Sequence, residues 1–535
     1  MRNAIAVLST LLALGSISNR YLVGQELVLD LDPRVQTGTT VGSDPAEFAR
    51  VGRLAYFTAK RTARDLWVTD GTAGGTRWVI EALALGLHSI TDLTAHGGRL
   101  FFVGNSVADG AELWVSDGTA AGTQRLSDLA PGSSASAIGQ LTSTPSGLFF
   151  AGQNATSGAE LWWSDGTRAG TRMVADIRPG AGGSDPREIV AYGAGVAFQA
   201  DDGQAGPELW LSNGMTVARI DIVPGASGSR PGDLATARGR LLFRADASGG
   251  EELWLSDGTS AGTRRVADIQ PGAAGSAPRD LTVAADGTVY FFADDGTHGV
   301  ELWRTDGSTA GTRLVRDVTP GPAGAPPYGL TALGSRVLYS AWTFAEGHEP
   351  YVSDGTAAGT FALGPIAPGA QGSDVRHFGV FGGRAVFSGV MRGIGSRLWI
   401  TDGSISGTHM LTDANGHSVA SRTPALPGPS DWLFAIDLGR DGVELGRTTG
   451  ALQSTGPLAD IAVKPRSGSP RQFQKLGNRT YFVASSSRFY STAGTAARTV
   501  RETDLEVHWA VRVADYFVLV GRRNSGPVQM WHFDP

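Results

Sequence analysis

The sequence predicts an all-β fold, a β-propeller of four-stranded blades. Three observations carry this: a tryptophan-centred motif returns about every 48 residues, each repeat divides into four short apolar segments, and turn formers fill every gap between them. Glycine supplies 75 of the 535 residues, twice the roughly 7% of ordinary chains, so tight turns are frequent.

The motif is plainest in Glu112-Leu113-Trp114-Val115-Ser116-Asp117-Gly118-Thr119 and recurs as Glu160-Leu161-Trp162, Glu208-Leu209-Trp210, Glu252-Leu253-Trp254 and Glu301-Leu302-Trp303. With Trp67, Trp114, Trp162, Trp210, Trp254, Trp303, Tyr351, Trp399, Gly446, Tyr490 and Trp531 as anchors, subtraction of successive numbers gives spacings of 41 to 49 residues. That makes eleven copies, the last three degraded.

Within one copy the four strands read Leu281-Thr282-Val283, Val289-Tyr290-Phe291-Phe292, Glu301-Leu302-Trp303-Arg304 and Thr312-Arg313-Leu314-Val315. Each is rich in β-branched and aromatic residues, and each is too short for a helix. The second strand is apolar on both faces, and the third places Leu on one face and Trp on the other, so neighbouring sheets must cover both. Blades around a ring satisfy this.

Spacing stays even and no linker interrupts it, which predicts one large closed ring of about eleven blades, with two smaller propellers as the alternative. The segment 26–33 matches a fourth strand and the C-terminus stops in a third, so the N-terminal strand is expected to complete the last blade and remove an open sheet edge. Residues 1–18, with Arg2 ahead of an apolar run and small residues at Ser16 and Ser18, read as a signal peptide; residues 19–535 form the repeat domain. An exported protein follows, in the periplasm, on the outer surface or outside the cell. No run approaches the roughly 20 apolar residues of a transmembrane helix.

The motif Glu-Leu-Trp-x-x-Asp-Gly-Thr, at 112–119, 160–167, 252–259 and with Ser in the last place at 301–308, resembles that of the bacterial ELWxxDGT-repeat family, some members of which carry a hyalin-repeat label. The resemblance spans essentially the whole chain after residue 18. It implies an exported, surface-associated protein of Gram-negative bacteria and no particular reaction. Asn213 and Tyr351 depart from the pattern.

Composition excludes several chemistries. There are no cysteines, hence no disulfide, thiolate metal site or thiol nucleophile. Forty-five basic against 51 acidic residues give a net charge of −6, too mild to indicate nucleic acid. Gly258-Thr259-Ser260-Ala261-Gly262 fits a nucleophile elbow, but no helix follows it and the sister repeats carry Ala, Arg or Thr in place of Ser260. The Asp of Ser-Asp-Gly-Thr is expected to bind the amides of its own turn, and the two glycines to supply positive φ.

Two acidic sets remain. One closes each fourth strand, as at Asp128, Asp176, Asp221, Asp268 and Asp317, and is expected to cap the following Pro-Gly loop. The other, in the loop between strands two and three, contains Asp201, Asp202, Asp294 and Asp295, oxygen donors that would suit Ca²⁺, the one cofactor the sequence admits. The starts of first strands carry Arg187, Glu188, Asp233, Arg279, Asp280, Arg376, His377 and Arg471, which are expected to gather at the channel mouth as a binding set. The function expected is a non-catalytic, monomeric scaffold binding a protein or a glycan. Its rivals are a glycan-active enzyme using a carboxylate pair such as Asp233 and Asp280, and a lectin stacking sugars on Tyr192, Tyr328 or Trp432.

Overall fold

The structure, a computed structural model, describes residues 44–459 with short interruptions and then the strands from Arg471 to Phe533. The proposed signal peptide 1–18 and closing strand 26–33 lie outside the described residues. No described helix is long and apolar enough to cross a membrane.

The chain is all-β as expected, a propeller of antiparallel four-stranded blades. Every four-stranded sheet keeps its strands in sequence order. The copy used above folds as Arg279–Val283, Val289–Asp294, Val300–Thr305 and Arg313–Arg316. Numbered by sequence, blades one to eight span 46–80, 87–125, 137–173, 187–220, 232–265, 279–316, 328–362 and 376–410. A ninth sheet of five strands spans 420–459.

An aromatic pair organises each blade. The third-strand Trp lies opposite a second-strand Phe, as in Phe57 with Trp67, Phe102 with Trp114 and Phe150 with Trp162. These rings stack with centroids 6.1 to 6.4 Å apart. Such pairs add to the area they bury. The core lies between blades: Phe101, Leu113 and Val115 of blade two pack with Leu148 and Phe150 of blade three.

The chain forms two compact units, one carrying blades one to eight and the ninth sheet, the other the strands from Arg471 onward, in one four-stranded and one three-stranded sheet. The single eleven-bladed ring is therefore corrected. In the larger unit an arginine of one blade repeatedly donates to the glycine carbonyl in the turn of the next: Arg99 to Gly166 (3.1 Å), Arg172 to Gly214 (2.7 Å), Arg336 to Gly403 (3.0 Å), Arg384 to Gly450 (3.2 Å). Arg447 of the ninth sheet donates in the same way to Gly71 of blade one, at 2.8 Å. The eight four-stranded blades thus close through the five-stranded sheet, before the last two copies are reached. Those copies are the ones whose motif has decayed most.

The motif's glutamate has a structural task that its sequence pattern conceals. Glu112, Glu160, Glu208, Glu252, Glu301 and Glu349 are each 5% exposed or less. Glu208 accepts from Ile222 N, Val223 N and Ser229 N, each at 3.1 Å, and from Ser229 Oγ at 2.6 Å. Glu160 does the same for Ile177, Arg178 and Ser184. The loop after the fourth strand is therefore capped from inside by strand three. Three of the aspartates that close the fourth strands turn instead to arginines, Asp128 to Arg125, Asp221 to Arg219 and Asp268 to Arg265. Replacing Glu208 by Ala strands four donors in a buried place and should cost more than about 3 kcal/mol. Urea unfolding of Glu208→Ala against the parent protein measures it.

Candidate binding site

The first strand of each four-stranded blade of the larger unit bulges, at one place in seven of them and at two in blade two. Its pairing with the second strand shifts between Arg187 and Val190, Gly232 and Ala235, and Arg279 and Thr282. The extra residue adopts a left-handed backbone: Glu47, Asp92, Gln140, Glu188, Asp233 and Asp280 have φ between 51° and 58°. A non-glycine residue held there costs roughly 1–2 kcal/mol. Contacts to the next blade hold it in place. Glu47 Oε2 accepts from Asp92 N at 3.2 Å, Gln140 Oε1 from Ile189 N at 3.2 Å, and Asp233 Oδ1 from Asp280 N at 3.0 Å.

Glu188, Asp233 and Asp280 of the sequence reading occupy this bulge, with Arg187 and Arg279 one residue before. Glu47, Asp92 and Gln140 were missed, although they recur in step with the tryptophan. Burial, and then the charge of Asp233, push the Asp280 carboxyl above its ordinary range. Burial alone raises Asp92, against a bond from Gln140 that lowers it.

A cleft of about 740 Å³ opens across blades three to five. Arg187, Glu188 and Asp201 line it, joined by Arg178, Arg244 and Glu251, which the sequence did not single out. Its charges are paired: Arg178 with Asp201 at 3.3 Å, Arg187 with Asp185 at 2.5 Å, and Arg244 with Glu251 and, at 2.7 Å, with Asp233. Arg187 and Asp185 are 63% and 61% exposed. Arg244 thus sits between one carboxylate of the bulge and one of the cleft wall, which couples the two features. A cleft of this size with alternating donors and acceptors suits a polar ligand.

The expected Ca²⁺ donors are spent locally. Asp201 Oδ1 accepts from Gly203 N, and Asp202 Oδ1 from Gln204 N and Ala205 N, while Asp202 Oδ2 meets Arg219. Asp294 accepts from Gly296 N, and Asp295 from Thr297 N, His298 N and His298 Nδ1. The two pairs lie in blades four and six, with blade five between them. Among the described residues no three such groups gather as a metal set.

The repeated turn is likewise self-contained. Asp117 Oδ1 accepts from Thr119 N and Thr119 Oγ1, and Gly122 N donates back to Thr119 Oγ1. Gly118 has the expected positive φ of 90°, but Gly122 is needed for space: a Cβ there would stand 2.1 Å from Asp117 Oδ1. Ser260 is an exposed residue of the equivalent turn in blade five. Among the stacking candidates, Trp432 is buried and donates to Gly379 O, Tyr328 donates to Asp374, and Tyr192 leans on Gly239 O. Arg376 opens the first strand of blade eight with His377 beside it, and Arg471 opens the first strand of the smaller unit. Their side chains lie outside the described residues.

No family model and no curated protein matches this sequence. Among solved structures the chain is similar to a prolyl endopeptidase (TM-score 0.40, 11% identity, 66% of this chain and 55% of that one) and to the tricorn protease (0.26, 12%, 92% and 48%). A computationally designed protein, Ika8, aligns at 0.30 with 15% identity over 65% of this chain and 96% of its own. The chain spans about half the length of the two peptidases, 55% and 48%. At these scores the alignments carry no functional inference.

His298 reports on the loop of blade six. Its bond to Asp295, and then the charge of that carboxylate, raise the imidazole above its ordinary value. Removing the charge in Asp295→Asn should bring the titration midpoint down toward that of a free histidine. The imidazole proton shifts in an NMR pH titration show it.

Proposed function

We propose that the protein is a non-catalytic exported scaffold that binds a protein or a glycan, with the cleft across blades three to five as its contact site. The observation that carries this reading is the cleft wall itself. Exposed ion pairs such as Arg187 with Asp185 contribute only about 0–1 kcal/mol each, so a ligand's hydroxyl or charged groups can exchange with them at small cost. The repeated turns support the reading from the other side, because their polar atoms are committed to their own backbone. Export, to the periplasm, the outer surface or the medium, rests on the N-terminal sequence and on the resemblance to the ELWxxDGT-repeat family. A monomer agrees with a ring that closes on itself.

One observation favours the enzyme reading as second choice. Asp280 is an acid with a raised pKa beside Asp233, the arrangement a glycan-cleaving acid needs. Asp233, however, is bound by Arg244 and by Asp280 N, which leaves it occupied with structure.

Arg178 and Arg187 line the cleft without carrying a bulge, so Arg178→Ala/Arg187→Ala should keep its melting temperature. Binding to immobilised neutral and uronate-containing oligosaccharides, or to outer-surface proteins of the source cell, should weaken at least about tenfold, or about 1.4 kcal/mol. Hydrolysis of those oligosaccharides by the parent protein, lost in Asp280→Asn, would replace the scaffold reading with the enzyme.

A further inference from the structure

Blade six breaks the rule by which the glutamates hold their loops. In blades three, four, five and seven a loop serine donates its hydroxyl to the buried carboxylate: Ser184 to Glu160, Ser229 to Glu208 and Ser276 to Glu252 at 2.6 Å, and Ser373 to Glu349 at 2.9 Å. The segment Gly275-Ser276-Ala277 of blade five corresponds to Gly324-Ala325-Pro326 in blade six. Ala325 has no hydroxyl to offer. Two backbone donors, Val318 N at 3.1 Å and Thr319 N at 3.0 Å, reach Glu301, both at Oε1.

A small cavity of about 10 Å³ is lined by both Glu301 and Ala325, so it adjoins the carboxylate on the side where the loop lacks a hydroxyl. Its walls include Glu301, Ala325, Thr319, Gly324, His298 and Trp342. The volume is about that of one water-sized sphere, and the walls offer carboxyl oxygen, hydroxyl and backbone groups, the room and the partners an ordered water needs. We infer that this cavity is a built water site, in which one ordered water molecule serves the Glu301 carboxylate in place of the serine hydroxyl that blades three, four, five and seven supply.

The electrostatics agree with the geometry. Burial raises the carboxyls of Glu112, Glu160, Glu208 and Glu349, and it takes Glu301 up to about 7. The two backbone bonds oppose that rise, Asp317 adds to it and His298, paired with Asp295, counters it. Tyr339 and Tyr351 of blade seven also face this charge, along with Arg316. A carboxyl raised from 4.5 to about 7 binds its proton more tightly folded than unfolded. Its stabilising effect is full below the unfolded value and is lost as pH rises through the folded one. Above that, Glu301 is a buried anion with a water in place of a fixed donor.

Ala325→Ser supplies the donor and displaces the water. It should raise the melting temperature more at about pH 8.5, where the carboxylate gains a fixed hydroxyl, than at about pH 5.5, where the group is protonated. In infrared titration the protonated-carboxyl band assigned through its loss in Glu301→Gln should move to lower pH in Ala325→Ser. In alanine-methyl-labelled parent protein, a long-lived water cross-peak to the Ala325 methyl is expected. An equal or absent gain at the two pH values, or no water cross-peak to that methyl, would overturn the inference.

Discussion

A buried glutamate in the third strand reaches up and holds the loop that leaves the fourth, and the loop face of the propeller depends on that bond. A carboxylate taken out of water is costly unless donors replace its hydration. Glu160 and Glu208 meet three backbone amides and a serine hydroxyl each, and in doing so give the Pro-Gly loops one conformation. The tryptophan beside each glutamate fills the space between blades. One short strand thus supplies the core on one face and the scaffold of the loops at its end.

The second organising contact is the arginine that reaches the next blade's turn. A guanidinium carries several donors in a fixed fork, and a glycine carbonyl in a left-handed turn is an acceptor without a side chain in the way. Because Arg447 makes this contact with Gly71, the end of the ninth sheet meets blade one. Repeat number on its own does not decide ring size; the angle between neighbours does, and that angle is a property of packed side chains.

The bulges couple these features to the cleft. A positive φ at Glu188 and Asp233 turns two carboxylates out of the regular alternation of the strand. Arg244 then bridges Asp233 to Glu251 on the wall. Charge is balanced there by ion pairs at the surface of the cleft. The sequence shows these residues as a scatter of acids and bases; their order exists only across blades.

Period, strand count and strand location were legible without coordinates, because a half-buried strand must alternate and a doubly covered one must be apolar throughout. The Asp-Gly-Thr turn was legible too, since its bonds run between residues two to four apart. The role of the motif glutamate was not: its partners lie 14 to 24 residues further on, as in Glu208 with Ile222 and Glu160 with Ser184. Nor was the closure, where Arg447 and Gly71 stand 376 residues apart. Local backbone chemistry belongs to the sequence because neighbours in the chain are neighbours in space. Which copies share the ring and which acids face the cleft are decided by contacts between blades, and those come into being only when the ring is packed.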